Sequence, residues 1–155
     1  MNGQWVERCG NTASVTGSDA AAGIAANGYS AEFCYNTGAV KATRTNLAYG
    51  IGNRTRYVKN CFTYTPNSHV ALAPMQWNRN EETTADNSYY LANSATELLS
   101  PGEWATLADF ASGKVAWGVD GGTAAHANYW TQDTRRGQNQ MPAGPGRAYP
   151  KPIED

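Results

Sequence analysis

Histidine is the commonest metal ligand and acid–base catalyst near neutral pH, and the sequence contains two, His69 and His126. His69 lies in NSHVALAP and His126 in GTAAHANYW. Neither has a second histidine or a carboxylate at the spacing of a known metal-binding motif. Because any catalytic or metal-binding partner would have to come from a distant part of the fold, we predict that neither histidine is catalytic and that no metal is bound.

The cysteines Cys9, Cys34 and Cys61 are odd in number, and their spacing fits neither a zinc site nor a CxxC redox motif. One disulfide with a free thiol and three buried free thiols both agree with this count. Cys34 and Cys61 lie inside predicted strands, where a nucleophile would be poorly exposed. The sequence also lacks a GxSxG elbow and a Walker A motif. We therefore predict a protein that is not an enzyme, with no catalytic residues and no cofactor.

One acidic run, EETTAD, spans Glu81 to Asp86. Paired carboxylates could serve a glycosidase or bind calcium. The run belongs to a polar segment, WNRNEETTADNSYY, that lacks the glycine turn of a calcium loop. The pattern indicates a solvated loop.

Aromatic side chains are the more promising set, with five tryptophans and nine tyrosines. Their flat faces stack on sugar rings, and they also anchor protein interfaces. Trp104 and Trp117 fit the apolar stripes of predicted elements and are expected in the core. Trp77, in the loop APMQWNRN, and Tyr129 with Trp130, beside a turn, are the candidates for contact with a ligand or partner.

The elements that would position these side chains are mainly strands. In YSAEFCYN, residues 29–36, polar and apolar residues alternate with a period of two, which is typical of a half-buried strand. TRYVKNCFTYT and KVAWGV show the same alternation. Glycines at Asn27-Gly28, Thr37-Gly38 and Asp120-Gly121 are expected to supply the positive φ angles of tight turns. With no internal repeat evident, the pattern predicts an antiparallel β-sandwich or barrel.

One short helix is predicted over about 100–112, in LSPGEWATLADFASG. Ser100 is the expected N-cap, Glu103 completes a capping box, and Gly113 is the expected stop. The apolar stripe that should pack over the sheets consists of Trp104, Leu107, Ala108, Phe110 and Ala111.

The chain closes on MPAGPGRAYPKPIED, which holds four of the seven prolines. Proline lacks a backbone donor, so this stretch cannot readily join a helix or a central strand. We predict one β-rich domain over residues 1–134 and an extended arm over residues 135–155 that binds a neighbouring subunit. The expected anchors of the arm are Arg135, Arg136, Met141, Arg147, Tyr149 and Ile153.

The composition of the chain argues against nucleic-acid binding and against a membrane-spanning segment. Charged residues make up only 16% and the net charge is −1, so no field attracts nucleic acid. No apolar run approaches the roughly 20 residues that span a bilayer, and the start MNGQWVERCG does not resemble a signal peptide.

These features favour a structural virion protein of a bacterial virus, such as a capsid decoration or a head or tail subunit. It would be made in the host cytoplasm and would assemble with copies of itself and a second structural protein. The alternatives are an extracellular β-sandwich that binds a carbohydrate or receptor, and a pilin-like filament subunit. A receptor-binding domain of a virus would combine the first two interpretations.

Overall fold

A computed structural model describes residues 4–67, 70–92, 99–121, 130–131 and 150–152. Within these residues the chain winds into a β-solenoid of about three turns, built from parallel sheets. The predicted antiparallel sandwich or barrel is therefore wrong. Period-two alternation indicates that one face of a strand is buried, but it does not reveal which strand lies alongside.

Two parallel sheets run the length of the solenoid. The first has strands β1 (Trp5–Glu7), β5 (Ser30–Glu32), β9 (Tyr57–Lys59) and β11 (Thr84–Asp86), side by side in that order. The second has β2 (Gly10–Asn11), β6 (Tyr35–Asn36), β10 (Phe62–Thr63), β12 (Tyr89–Leu91) and β13 (Glu103–Ala105), also neighbours in that order. Two parallel pairs complete the first turns, β3 (Val15–Gly17) with β7 (Val40–Ala42) and β4 (Ala21–Ala22) with β8 (Ala48–Tyr49).

The strand register reveals an internal repeat. Trp5 lies beside Ser30, Ser30 beside Tyr57, and Tyr57 beside Thr84, so one turn takes 25 residues and the next two take 27. Repeats of this length are typical of solenoids. The unequal spacing and the mixed chemistry within one column, here Trp, Ser, Tyr and Thr, hide the repeat in the sequence.

A left-handed corner recurs between the first and second sheets of every turn. Arg8, Phe33, Asn60 and Asn87 all have positive φ, between 45° and 54°. The backbone therefore bends at Phe33, and residues 29–36 form two strands rather than the single strand expected. Past the bend the inward side chains are Cys34 and Asn36, which are fully buried.

The interior has two main apolar clusters. One contains Ala31, Cys34, Ile51, Val58, Cys61, Leu72, Ala73, Tyr90 and Ala92. The other lies at the far end and contains Phe62, Leu91, Ala105, Phe110, Val115, Val119 and Trp130. Burying these stacked columns is what stabilises a fold whose strands are only two or three residues long.

Two helices cap the far end of the solenoid, α1 (Leu107–Ser112) and α2 (Lys114–Val119). Thr106 is the N-cap of α1 and forms a capping box with Asp109, and Gly113 ends the helix with φ 86°. The predicted helix thus exists and stops at the expected glycine. Its predicted start at Ser100 is wrong, because Glu103–Ala105 pairs with β12 as strand β13.

The segment KVAWGV forms α2, where a strand was expected. The helices in the described part of the chain are α1 and α2, with six residues each. Neither is long and apolar enough to cross a bilayer.

Part of the predicted arm returns to its own domain. β15 (Lys151–Pro152) pairs antiparallel with β14 (Trp130–Thr131), and Pro150 is buried. The six residues expected to anchor the arm, Arg135, Arg136, Met141, Arg147, Tyr149 and Ile153, lie outside the described residues, as do His69, His126 and Tyr129.

Candidate functional site

The three cysteines form one column of the solenoid, which Ser88 continues in the next turn. The N–H of Cys34 donates to the Cys61 Sγ at 3.3 Å, and the N–H of Cys61 donates to the Ser88 Oγ at 3.1 Å. Each buried thiol in turn donates to a carbonyl two residues earlier, Cys34 to Glu32 at 3.2 Å and Cys61 to Lys59 at 3.0 Å. The thiols therefore satisfy backbone groups at the left-handed corner, which is a structural role.

No disulfide joins the cysteines, and no cluster of three or more metal-ligating side chains occurs in the part of the chain that the structure describes. Burial raises the pKa of the Cys61 thiol well above its ordinary value. A neutral thiol in this position is a poor nucleophile.

We expect native protein to take up one alkyl group from iodoacetamide, at Cys9, which is the exposed member of the column. Cys34 and Cys61 should react only when the protein is unfolded, because both are fully buried. Intact-mass measurement with and without denaturant checks this. Two or three labels on the native protein would show that the column opens in solution.

A cluster of aromatic rings on the outer side of the first sheet is the strongest candidate for a binding site. We call Trp5, Tyr29, Arg56, Tyr57 and Trp77 the aromatic face. The Tyr29 ring lies at its centre, 6.1 Å from the Trp5 ring, 5.4 Å from Tyr57 and 6.5 Å from Trp77, measured between centroids. The solenoid brings together residues that are up to 72 positions apart in the chain.

Arg56 lies among three of these rings. Its guanidinium carbon lies 5.6 Å from the Tyr29 centroid, 5.1 Å from Tyr57 and 5.7 Å from Trp77. It also donates to the Tyr29 hydroxyl at 3.2 Å. A cation held over three aromatic faces is attracted to each of them. The Glu81 carboxylate, 3.9 Å from the guanidinium, balances the charge.

Trp77 lies on a short loop in the third turn. Gln76 and Glu82 form an antiparallel bridge, and the side-chain oxygen of Asn78 accepts from the backbone N–H of Asn80 and of Glu81. Such Asx contacts favour a tight turn. The predicted loop over the acidic run is right for Glu81 and Glu82, whereas residues 84–86 are strand β11.

Polar groups flank the rings on the same outer side of the sheet. The half-buried Glu32 carboxylate accepts from the buried Ser30 hydroxyl at 3.2 Å, and the Lys59 ammonium lies 5.8 Å from the Tyr57 centroid. The surface thus offers flat apolar faces beside a carboxylate and an ammonium group. This combination suits a ligand with apolar faces and hydroxyl edges, such as a sugar.

Sequence reasoning identified one of the aromatic members, Trp77, and missed Trp5, Tyr29 and Tyr57. The signal that could have found them is the 25- and 27-residue repeat, which places Trp5 and Tyr57 in one column. Trp130 does not belong to the face, because it is only 1% exposed and lies in the core.

Comparison of the chain with family models, with curated proteins and with solved structures finds no match in any of the three.

Proposed function

We propose that this solenoid is a glycan-binding module and that the aromatic face is its binding surface. The observation that carries the proposal is the position of Trp5, whose side chain is 67% exposed beside the Tyr29 ring. An exposed indole of this kind has a high cost in water, which a sugar ring stacked on it would remove. Because the rings stand on a rigid sheet and around Arg56, little flexibility is lost on binding.

The shape of the face favours an extended ligand. Trp5 and Tyr57 occupy the same column with β5 between them. Two strand spacings separate them by about 10 Å along the solenoid axis, roughly the length of two sugar residues. A linear oligosaccharide lying along the axis would therefore contact both rings and pass over Ser30.

The setting that we propose is the virion of a bacterial virus, where the module would contact a glycan on the host surface. The charge-poor composition agrees with this setting and equally with an extracellular one. An extracellular carbohydrate-binding protein is the alternative.

Replacing Trp5 by alanine is expected to weaken oligosaccharide binding at least about tenfold, because central aromatic contacts contribute about 2 kcal/mol or more. The matched control is Trp117→Ala, which removes a tryptophan that is 52% exposed on α2, away from the face. A glycan array followed by titration of the retained oligosaccharide measures both. If the parent retains no glycan, or if the two variants bind equally well, the proposal fails.

A structural role in the virion is the second candidate function. The observation that favours it is the first turn of the solenoid, whose four strands have a neighbour on one side only within the described ranges. The arm over residues 135–155 enters this second proposal with one restriction, since Lys151–Pro152 pairs with Trp130–Thr131 of its own chain and a neighbouring subunit would be bound by other arm residues.

A further inference from the structure

The first turn, residues 5–29, presents an open edge. Its strands β1, β2, β3 and β4 stand at the end of their sheets, and among the residues that the structure describes each pairs only with a strand of the second turn. The far end of the solenoid differs, because helices α1 and α2 pack there. Solenoids need a cap at each end to shield the stacked core from water.

The hydrogen bonds of β3 show what the edge offers. The N–H of Val15 donates to Ala39 O at 2.8 Å, and Gly17 O accepts from the N–H of Thr43 at 2.9 Å. Both residues therefore direct their backbone groups at the second turn. Because alternate residues of a parallel strand point to opposite sides, the N–H and C=O of Thr16 point away from β7, toward the open side.

The same alternation holds in β4. The N–H groups of Ala21 and Gly23 donate to Leu47 O and Tyr49 O, each at 3.0 Å. The backbone groups of Ala22 therefore also point toward the open side. In the described part of the chain, the outward backbone groups of Thr16 and Ala22 thus form an edge that further strands can pair with.

The interior of the solenoid is also less covered at this end. Three inward side chains of the first turn are half-buried, whereas their neighbours one turn later are buried; the pairs are Val6 with Ala31, Val15 with Val40, and Ile24 with Ile51. Covering this end would remove apolar surface from water as well as pair the backbone.

The composition of the edge lacks the usual protection against pairing. Exposed edges in monomers commonly carry lysine, proline or several charges. Residues 5–29 contain no proline and no lysine, and their charged residues are Glu7, Arg8 and Asp19, of which Glu7 and Arg8 form an ion pair at 3.3 Å. Asp19 is itself 3.2 Å from Arg44.

We propose that the open edge binds the same edge of a second copy of this chain, related by a twofold axis perpendicular to the solenoid. Such an axis reverses the direction of the opposing turn, so the strands of the two copies pair antiparallel. A second copy has the same cross-section, so it covers the interior columns. An edge with so few charges also avoids setting like charges against each other across the axis.

The size of the surface agrees with a stable dimer. The first turn provides 25 residues on each side, and standard interfaces contain about 20–30 residues a side. The edge includes Trp5 on β1, which also belongs to the aromatic face, so the dimer is tested at Thr16 on β3, a strand that carries no member of that face.

The test is sedimentation velocity of the full chain over a wide range of concentration, with the variant Thr16→Pro. We expect the parent to be a dimer and the variant to dissociate at least about tenfold more readily, because proline removes an outward N–H. The bonds to β7 come from Val15 and Gly17 and should persist, so circular dichroism should be unchanged.

Thr16→Lys is the second variant. It leaves the backbone N–H of residue 16 able to bond, but it places one positive charge from each copy at the interface. If the proline variant does not fold, the lysine variant tests whether the open edge forms the dimer. The matched control is Ala39→Lys, which adds the same charge at an exposed position of the second turn. A parent that stays monomeric overturns the proposal, as does a Thr16→Lys variant that dimerises as tightly as Ala39→Lys.

Discussion

Replacing Trp130 by alanine is expected to lower the free energy of unfolding by about 3–5 kcal/mol. The matched change Trp104→Ala should lower it by less than about 1 kcal/mol. The two side chains are 1% and 38% exposed, respectively.

Trp130 closes the far end of the solenoid interior. Its ring lies 5.1 Å from Phe62 and 5.9 Å from Tyr35 between centroids, and its indole N–H donates to Asn60 O at 3.0 Å. Its backbone N–H donates to the Asp120 carboxylate at 3.2 Å. Truncation would leave a cavity among aromatic rings and remove the hydrogen bond to the half-buried Asn60 carbonyl, and both lower stability.

Urea unfolding followed by circular dichroism measures both variants without relying on tryptophan fluorescence. Typical domains have only about 5–15 kcal/mol of stability, so the Trp130 variant should unfold at a clearly lower urea concentration. Equal losses in the two variants would mean that Trp130 does not occupy the core in solution.

The sequence predicted the opposite, with Trp104 in the core and Trp130 on the surface. Trp104 has helical spacing with Leu107 and Ala108, so it fits the buried stripe of an amphipathic helix. In the structure Glu103–Ala105 pairs with Tyr89–Leu91 and becomes a strand, so the helix begins only at Leu107. Pairing with a distant segment overrides local helical preference, and a single sequence does not show it.

Local signals were reliable where local chemistry decides the structure. Gly113 ends a helix as expected, with φ 86°, and strands outnumber helices. The odd number of cysteines, which had no local explanation, follows from the repeat: Cys9, Cys34, Cys61 and Ser88 stack in one column. That column was the clearest trace of the solenoid in the sequence, and it was obscured because one turn is two residues shorter than the others.

The glycines show a second limit of local reasoning. Gly28, Gly38 and Gly121 were all expected to have positive φ, and of these three only Gly121 does, with φ 88°. Gly38 lies instead where the first and second turns approach each other. A Cβ there would overlap the carbonyl oxygen of Ala13 and lie 2.6 Å from its carbonyl carbon.

Gly38→Ala is therefore expected to destabilise the protein by about 1–3 kcal/mol or more, because the obstacle is backbone and cannot rotate away. Making room would push the two turns apart. It would also disturb the buried amide of Asn36, which donates to Gly38 O at 2.9 Å and accepts from the Asn11 side chain at 2.7 Å. Losing either contact leaves a buried polar group unpaired, which adds to the cost.

Gly28→Ala is the matched control, since Gly28 is also buried and also lies two residues before a strand, which is β5 for Gly28 and β7 for Gly38. Its added Cβ would lie 3.4 Å from the Ala25 Cβ, an ordinary contact. Alanine should there raise stability by about 0.4–1 kcal/mol, because it restricts the unfolded chain. Urea unfolding of the two variants should thus give effects of opposite sign. A Gly38→Ala protein as stable as Gly28→Ala would mean that the turns are not packed this closely at Gly38. Effects of opposite sign would mean that glycine is required at position 38 by the close stacking of two solenoid turns, and not by a tight turn of the backbone.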